Sequence, residues 1–345
     1  MTPAPRDPVA DLRRIAFLLE RAHEATYRVR AFRTAAAAVE SLSAEEVRAR
    51  VAAATLTELA GVGDVTARTV TESLAGDVPA YLGRLEDASG EPVAVGGELI
   101  RAALRGDCHT HSDWSDGGSP IAEMARAARD LGHEYVVLTD HSPRLTVANG
   151  LSADRLRAQL DVVAEVNAEL APFRILTGIE VDILDDGSLD QEPDLLAGLD
   201  VVVASVHSKL RMPSDEMTPR MVAAIANPHV DILGHCTGRN VTSGGRRGRT
   251  RPESEFEADL VFAACEQFGV AVEINCRPER LDPPKRLLQL ALESGCLFSV
   301  DTDAHAPGQL DWQPYGCARA EACGVPVDRI VNTWPVDKLL SWTSA

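Results

Sequence analysis

The sequence lacks several things that would have fixed its class at once. It has no CxxC pair, and its seven cysteines are odd in number and scattered. That argues against a disulfide framework or a cysteine-type zinc finger and fits a reducing cytoplasm, the thiols serving mostly as small core residues. No apolar run approaches the ~18–20 residues of a spanning helix. The opening "MTPAPRDPVADLRR" lacks the apolar stretch and cleavage site of a secretory signal. A soluble, cytoplasmic protein with no membrane association is expected, and no protein partner is indicated. Positive charge is also scarce: 34 Lys and Arg stand against 52 Asp and Glu, a formal net charge of -18. Such a balance is unlike a protein that coats nucleic acid, although local basic patches can still hold a polyanion. Residues 1–100 contain no lysine at all.

What is present falls into two parts. The 345 residues, 45% of them hydrophobic, suffice for one large and one smaller domain. Residues 8–85 carry apolar residues at helical spacing, as in "VADLRRIAFLLERAHEATYRVRAFRTAAAAVESL". Gly and Pro in "EDASGEPVAVGGE" then break the periodicity. The expected division is an all-α domain over 1–88, a linker over 89–100 and a third segment over 101–345. In that last segment short β-rich runs alternate with helical stretches, which predicts a mainly parallel sheet. The runs are "RGDCHTH", "YVVLTDH", "RILTGIEVDI", "VVVASVH", "DILGHC", "AVEINC" and "LFSVDTDAH". Each ends near a His, Asp, Glu or Asn, which suggests a (β/α) barrel whose strand ends converge on one mouth.

Side chains at i and i+2 of a strand share a face, so His109 and His111 can present two imidazoles to one ion. An HxH pair alone is weak, since a solvent-facing strand can carry the same spacing. Other strand ends add His141, Glu180, His207, His235, Asp303 and His305, so six of the nine histidines occupy the same kind of position. His23, His133 and His229 lie outside the pattern and read as structural or surface residues. Imidazole with carboxylate suits zinc, manganese or iron. With Asp116 the candidate ligands number nine, too many for one ion, so a cluster of two or three is implied. Ions ~3.5–4 Å apart are the usual machinery of phosphoester hydrolysis.

These segments resemble the PHP (polymerase and histidinol phosphatase) domain: "GDCHTHSDWSDG", "VVLTDHS", "GIEVDILDDGSLD", "VVASVHS", "ILGHCTGR", "EINCRPERLD" and "DTDAH" occur in family order over about residues 100–325. The resemblance implies a distorted (β/α)7 barrel of TIM-like type and three divalent ions, manganese or zinc and possibly iron. Carried over by motif, His109, His111, Glu180 and Asp303 would hold the first. Glu180, as a bridge, with His207 and His235 would hold the second, and Asp116, His141 and His305 the third. Cys236 stands where the family often has proline; it reads as a small buried residue, with metal binding or oxidation as the alternative. Asp140 either orients a neighbouring ligand or caps the next helix.

After His235 comes "TGRNVTSGGRRGRTRPE", with Arg239, Arg246, Arg247, Arg249 and Arg251 and no acid between them. It is either a solvated loop, residues 240–252, or a phosphate clamp. Arg239 is the first choice for substrate contact and joins Glu180 and Asp303 as a candidate catalytic residue. Lys209 and Arg277 are further phosphate candidates. In the amino-terminal part, Gly61 and Gly63 of "LTELAGVGDVTARTVTESL" form a turn whose following helix N-terminus can receive a phosphate. With "IAFLLERAHEATYRVRAFRTAAAAVESL" and "GDVPAYLGRLE", this part resembles the helix-hairpin-helix amino-terminal domain of family X DNA polymerases. Residues 13–33 hold six arginines against two glutamates, a local basic face in which Arg28, Arg30 and Arg33 are candidate DNA contacts. The polymerase palm is missing, so DNA synthesis is not expected. Without a lysine in residues 1–100, the Schiff-base lyase chemistry of some relatives is not expected. The expected function is a metal-dependent phosphoesterase acting on gapped, nicked or abasic DNA as 3′-5′ exonuclease, abasic-site endonuclease or 3′-phosphatase. The rivals are a small-molecule phosphomonoesterase of the histidinol-phosphatase type and a non-catalytic DNA-binding protein.

Overall fold

The computed structural model describes residue 4 and residues 6–90, 93–241 and 250–344. The chain divides into two compact units, residues 1–92 and 93–345. Among the described residues no helix is long and apolar enough to cross a membrane.

The first unit is built of α1 (Pro8–Arg21), α2 (Thr26–Glu40), α3 (Ala44–Ala53), α4 (Asp64–Leu74) and α5 (Ala80–Ala88). Local chemistry sets the starts. Asp7 accepts the N–H groups of Val9 and Ala10 ahead of Pro8, and Ser43 exchanges bonds with Glu46 in a capping box. Leu12, Ile15, Ala16 and Leu19, at helical spacing on α1, are buried with Phe32, Ala35 and Val39 of α2, Val70 of α4 and Leu82 of α5. Gly61 precedes α4 with φ +86°, and a Cβ there would lie 2.3 Å from Thr34 Cγ2, so both its conformation and its surroundings require glycine.

The second unit is a nearly closed barrel of seven parallel strands in sequence order. They are β1 (Gly106–Thr110), β2 (Tyr135–Leu138), β3 (Arg174–Asp182), β4 (Val201–Ser205), β5 (Ile232–Leu233), β6 (Ala271–Asn275) and β7 (Phe298–Asp301), one for each apolar run. Alternation sorts their side chains. Tyr135, Val137, Leu176, Val201, Val203, Ile232 and Ala271 join one inner cluster with Val331 and Leu339, while Val136, Ile175, Val202 and Val272 pack in the clusters shared with the helices.

Closure is the irregular part. Between β1 and β7 there is an isolated parallel bridge, Thr110 to Ala304. Side chains complete the seam: Cys108 N donates to Asp301 Oδ1 at 2.8 Å, and Thr302 N to Asp107 Oδ1 at 3.2 Å. Burial and the nearby acids push the Asp301 carboxyl well up, and burial raises Asp107 to about 7 despite its bonds to Thr302.

One sequence expectation is corrected here. The last three residues of the expected linker, 98–100, open the helix Glu98–Ala103, packed against the helix Gln313–Ala322. Gly97 makes this contact possible, since a Cβ there would lie 2.3 Å from the Cys317 carbonyl carbon. Six residues are too few to show a helical period, and the Gly-Gly before them reads as a break.

Candidate metal centre

The inner-facing series continues past each strand end, and that brings the polar residues together. On β3 the series runs Leu176, Gly178, Glu180, Asp182; beyond β2 and β4 it reaches His141 and His207; on β6 it includes Glu273 and Asn275. Glu180 lies at the centre. Its Oε2 is 3.3 Å from His109 Nε2, 3.6 Å from His111 Nε2 and 2.8 Å from His141 Nδ1. Its Oε1 is 3.2 Å from His207 Nε2 and 2.8 Å from His235 Nε2. Asp303, in the left-handed region at φ +52°, places Oδ1 3.4 Å from His111 Nε2 and 3.5 Å from His305 Nδ1. Asp116 Oδ1 stands 3.2 Å from His305 Nε2 and 3.5 Å from His141 Nε2. All nine residues thus meet in one mouth.

The grouping differs from the expected partition. Three sets have donor atoms within 4.8 Å of one another: His111, Asp116, His141 and His305; His109, His111 and Asp303; and His141, Glu180 and His207. The expected third set gains His111, and the expected first set comes together without Glu180. His235 belongs to none of the three and bonds Glu180 directly. Order within strands predicts who arrives at the mouth, whereas pairing depends on the tilt and loops that the strands acquire in the barrel.

The residues fit divalent ions. His109 Nε2, both nitrogens of His111, His141 Nδ1, His235 Nδ1 and Glu180 Oε2 are buried without a hydrogen bond. A cluster of such atoms is costly in an interior unless something binds them. In three histidines the other ring nitrogen is held: His109 Nδ1 by Glu273 Oε1 at 2.6 Å, His207 Nδ1 by Asp182 Oδ1 at 2.5 Å and His305 Nδ1 by the Asp303 carbonyl at 2.9 Å. With Nδ1 donating, neutral His109 and His207 leave Nε2 bare for a cation, whereas His305 Nδ1 stands at 2.9 Å from both the Asp303 carbonyl and Arg277 Nη1. Burial opposes ionisation of Glu180, but His207, His109 and His141 hold it well below the usual carboxylate range. Burial likewise opposes Asp303, and Arg277 and Arg280 overcome it. Burial, with His305 and His141 beside it, keeps His111 well below the ordinary histidine value. Ionised carboxylates and neutral imidazole are the forms that ligate.

Exposure is graded. His109, His111 and Glu180 are buried, whereas the side chains of His207, His305 and Asp116 are 13%, 20% and 37% exposed. Arg277 lies on this open side, with Nη1 2.8 Å from the Asp303 carbonyl and 2.9 Å from His305 Nδ1. Arg280, which sequence reasoning missed, brings Nε within 3.3 Å of Asp303 Oδ2. Also missed were Glu273 and Asp182, which hold His109 and His207. Their signal was available, since Asp182 follows Glu180 and Glu273 precedes Asn275 by two residues on a single strand face.

The other candidates stand in varied surroundings. Arg239 donates to the Arg280 and Leu281 carbonyls and to Glu253, so its guanidinium anchors a loop rather than standing free for phosphate. Lys209 is paired with Asp185 at 2.6 Å. Arg246, Arg247 and Arg249 lie outside the described residues. Among the described residues the Asp140 carboxylate neither bonds a candidate ligand nor caps a helix; it gathers Ser112, Ser115 and Gln159 and so fixes the loop before Asp116, while the Asp140 carbonyl accepts the Glu180 N–H at 3.2 Å. Cys236 is buried, its thiol pushed well up by burial, as suits a core residue. In the helical unit Gly63 N–H is taken by Thr66 Oγ1 at 3.0 Å and is not free for phosphate. Arg33 grips Glu20 through two bonds, and Arg28 bonds Tyr81 and Glu24. Arg30 is exposed, with no ion pair among the described residues.

Comparison with known proteins agrees with this architecture. Residues 107–275 match the PHP domain family and residues 5–78 a helix-hairpin-helix domain family. The PHP match ends before Asp303 and His305. Over 236 residues, 68% of this chain, the sequence is 40% identical to the DNA polymerase/3'-5' exonuclease PolX of Bacillus subtilis (strain 168), of which it spans only 40%. It is 29% identical over 238 residues to a probable phosphatase of Thermoanaerobacter sp. (strain X514), covering 66% of this chain and 89% of that one. A solved histidinol phosphate phosphatase from Lactococcus lactis, complexed with zinc, L-histidinol and phosphate, aligns with 64% of this chain and 94% of its own at 17% identity and a TM-score of 0.47. With the site and the sequence matches together, residues 107–275 are a PHP domain and residues 5–78 are a helix-hairpin-helix domain.

Proposed function

We propose that this chain is a DNA-repair phosphoesterase that cleaves gapped, nicked or abasic duplex near a 3′ end. The observation that carries the reading is the joining of a helix-hairpin-helix domain to a PHP domain in one chain. The similarity to a protein named as a 3'-5' exonuclease supports it, although this chain spans 40% of that protein.

His109, His111, Asp116, His141, Glu180, His207, His235, Asp303 and His305 would hold divalent ions, with zinc or manganese suited to the mixed nitrogen and oxygen donors. When bound, such ions lower the pKa of water and neutralise charge on phosphoryl oxygens. The chain's own groups do the rest. Glu273, Asp182 and the Asp303 carbonyl orient three imidazoles. Arg277 and Arg280, on the open side beside Asp303, are placed to offset charge developing on phosphorus oxygens. Helical-unit arginines and the Gly61 turn would meet the DNA backbone, Arg30 among them being exposed and without an ion pair among the described residues.

A small phosphomonoester is the second reading, favoured by the similarity to a probable phosphatase along 89% of that protein's length. The test is cleavage of 5′-labelled gapped and abasic duplexes by the full chain with manganese. Wild type should shorten them and Asp303→Ala should not. A chain lacking residues 8–88 should lose roughly tenfold or more on DNA while still hydrolysing p-nitrophenyl phosphate. Equal activity of both chains on DNA would sink the docking role, and inert DNA with metal bound would transfer the assignment to the small phosphomonoester.

A further inference from the structure

Arg220 belongs to the helix Ser214–Ile225, which follows β4, and its side chain is fully buried. Four bonds leave its guanidinium. Nε donates to the Leu184 carbonyl at 2.9 Å and Nη1 to the Ser208 carbonyl at 3.0 Å; Nη2 serves the Ile183 carbonyl and, at 3.2 Å, Ser208 Oγ. Among the described residues the carboxylate within ion-pair reach is Asp185, 4.0 Å from Nη1 and about half exposed. A buried cation held chiefly by main-chain carbonyls is a costly arrangement, and replacing it with an apolar side chain of similar size is often no loss to stability. Folding alone therefore gives a weak reason for arginine here.

The carbonyls it takes point to another reason. Ile183 and Leu184 directly follow Asp182, and Ser208 directly follows His207. Asp182 and His207 are themselves bonded at 2.5 Å, the contact that leaves His207 Nε2 facing Glu180. The guanidinium is thus a second tie between the same two chain segments, one or two residues farther along each. The segments are also held in forms few residues tolerate. Lys209 has φ +50°, and at Gly187, with φ +84°, a Cβ would lie 2.7 Å from the Arg220 carbonyl. Only a planar fork reaches both segments at once; an ammonium has neither the spread nor the number of donors.

We propose that Arg220 is a positioning residue for the His207 end of the metal centre. It fixes Asp182 and His207 relative to each other and so sets the affinity for the ion held by His141, Glu180 and His207. Arg220 bonds none of these three. The inference rests on the metal reading of the mouth.

The test uses full-length Arg220→Lys and Arg220→Met, stripped with chelator, titrated with manganese and counted for bound ions, with melting and circular dichroism recorded before metal is added. His207→Ala marks which ion belongs to this end. Arg220→Lys should show an unchanged dichroism spectrum and bind that ion roughly 10–100-fold more weakly, the range for groups that orient ligands, with the remaining ions unaffected. Ser208→Ala, which deletes one of the four bonds, should weaken the same ion roughly threefold; it and the lysine variant decide the matter if Arg220→Met does not fold. Wild-type affinity at this ion in the folded variants overturns the inference, as does equal weakening at every ion. A wild-type chain that takes up no ion overturns the reading of the mouth and this inference with it.

Discussion

Arg33 and His109 are both largely buried and both lie against a glutamate, yet the two regions treat them differently. In the helical unit Arg33 Nε and Nη2 reach the two oxygens of Glu20 at 3.0 and 2.9 Å, and the pair is closed. In the barrel mouth His109 gives Nδ1 to Glu273 while its Nε2 points at Glu180 without a hydrogen bond. Arg13 with Glu40 and Arg6 with Asp11 repeat the closed pattern, and His111, with both ring nitrogens buried and without a hydrogen bond, repeats the open one. A closed pair of charges serves the fold, because nothing remains for a ligand to take. A set of aligned, unpartnered donors costs stability, and proteins keep such sets where something else binds. Counting charges in a sequence cannot separate the two cases, since the difference lies in the partners.

The sharpest way to break the comparison is Glu180→Gln, which removes one charge from the centre of the open set. Wild-type protein should gain stability when manganese or zinc is added, about 2.7 kcal/mol at a hundredfold excess over Kd for one ion. The variant should lose most of that gain. Its hydrolysis should fall by at least the ~10²–10³-fold seen when a single transition-state donor is removed. Thermal melts with and without metal provide the check. An undiminished metal response would mean that the orphaned nitrogens are a defect of packing rather than a binding site.

The closed set predicts the opposite kind of loss. Arg33→Leu removes the guanidinium that holds both oxygens of the buried Glu20 carboxylate, at a cost of about 3 kcal/mol, measured by urea unfolding of the full chain at neutral pH. Glu20→Leu combined with it should restore much of the loss, because the pair is then removed whole. The affinity of the folded variant for gapped DNA should stay near that of wild type. A large fall in affinity without a fall in stability would return Arg33 to the role that the sequence suggests for it.

How much of this the sequence reveals follows from the same contrast. Strands announce themselves by runs such as "VVVASVH", and the inner-facing series carry polar residues to the mouth, so eight of the nine candidate ligands are legible from position, while Asp116, in the loop after β1, belongs to no such series. Glu273 and Asp182 carry a signal, the i and i+2 spacing to Asn275 and Glu180, but that spacing places them on the inner face without saying which imidazole each holds. Arg239 misleads for a related reason. It sits beside a ligand strand among other arginines, and its actual partners are the carbonyls of Arg280 and Leu281, some forty residues away in sequence. The short helix Glu98–Ala103 is hidden by its length and by the glycines that precede it.

The finest discrimination concerns Arg30, which departs from the closed pattern of Arg28 and Arg33 on its own helix. It is exposed and unpaired, whereas Arg28 and Arg33 on the same helix are committed to Tyr81, Glu24 and Glu20. If the helical unit holds DNA through its backbone, Arg30 is free to neutralise a phosphate at no cost to an internal pair. Arg30→Ala should then reduce the slope of log affinity against log salt by about 0.9, the amount expected for one phosphate contact, and weaken binding only a few-fold near physiological salt. Arg28→Ala should leave the slope closer to wild type and lower the melting temperature instead, since it breaks the contact to Tyr81. Equal slopes for wild type and Arg30→Ala would place the DNA elsewhere on the unit, and the open-and-closed distinction would then hold for the barrel alone.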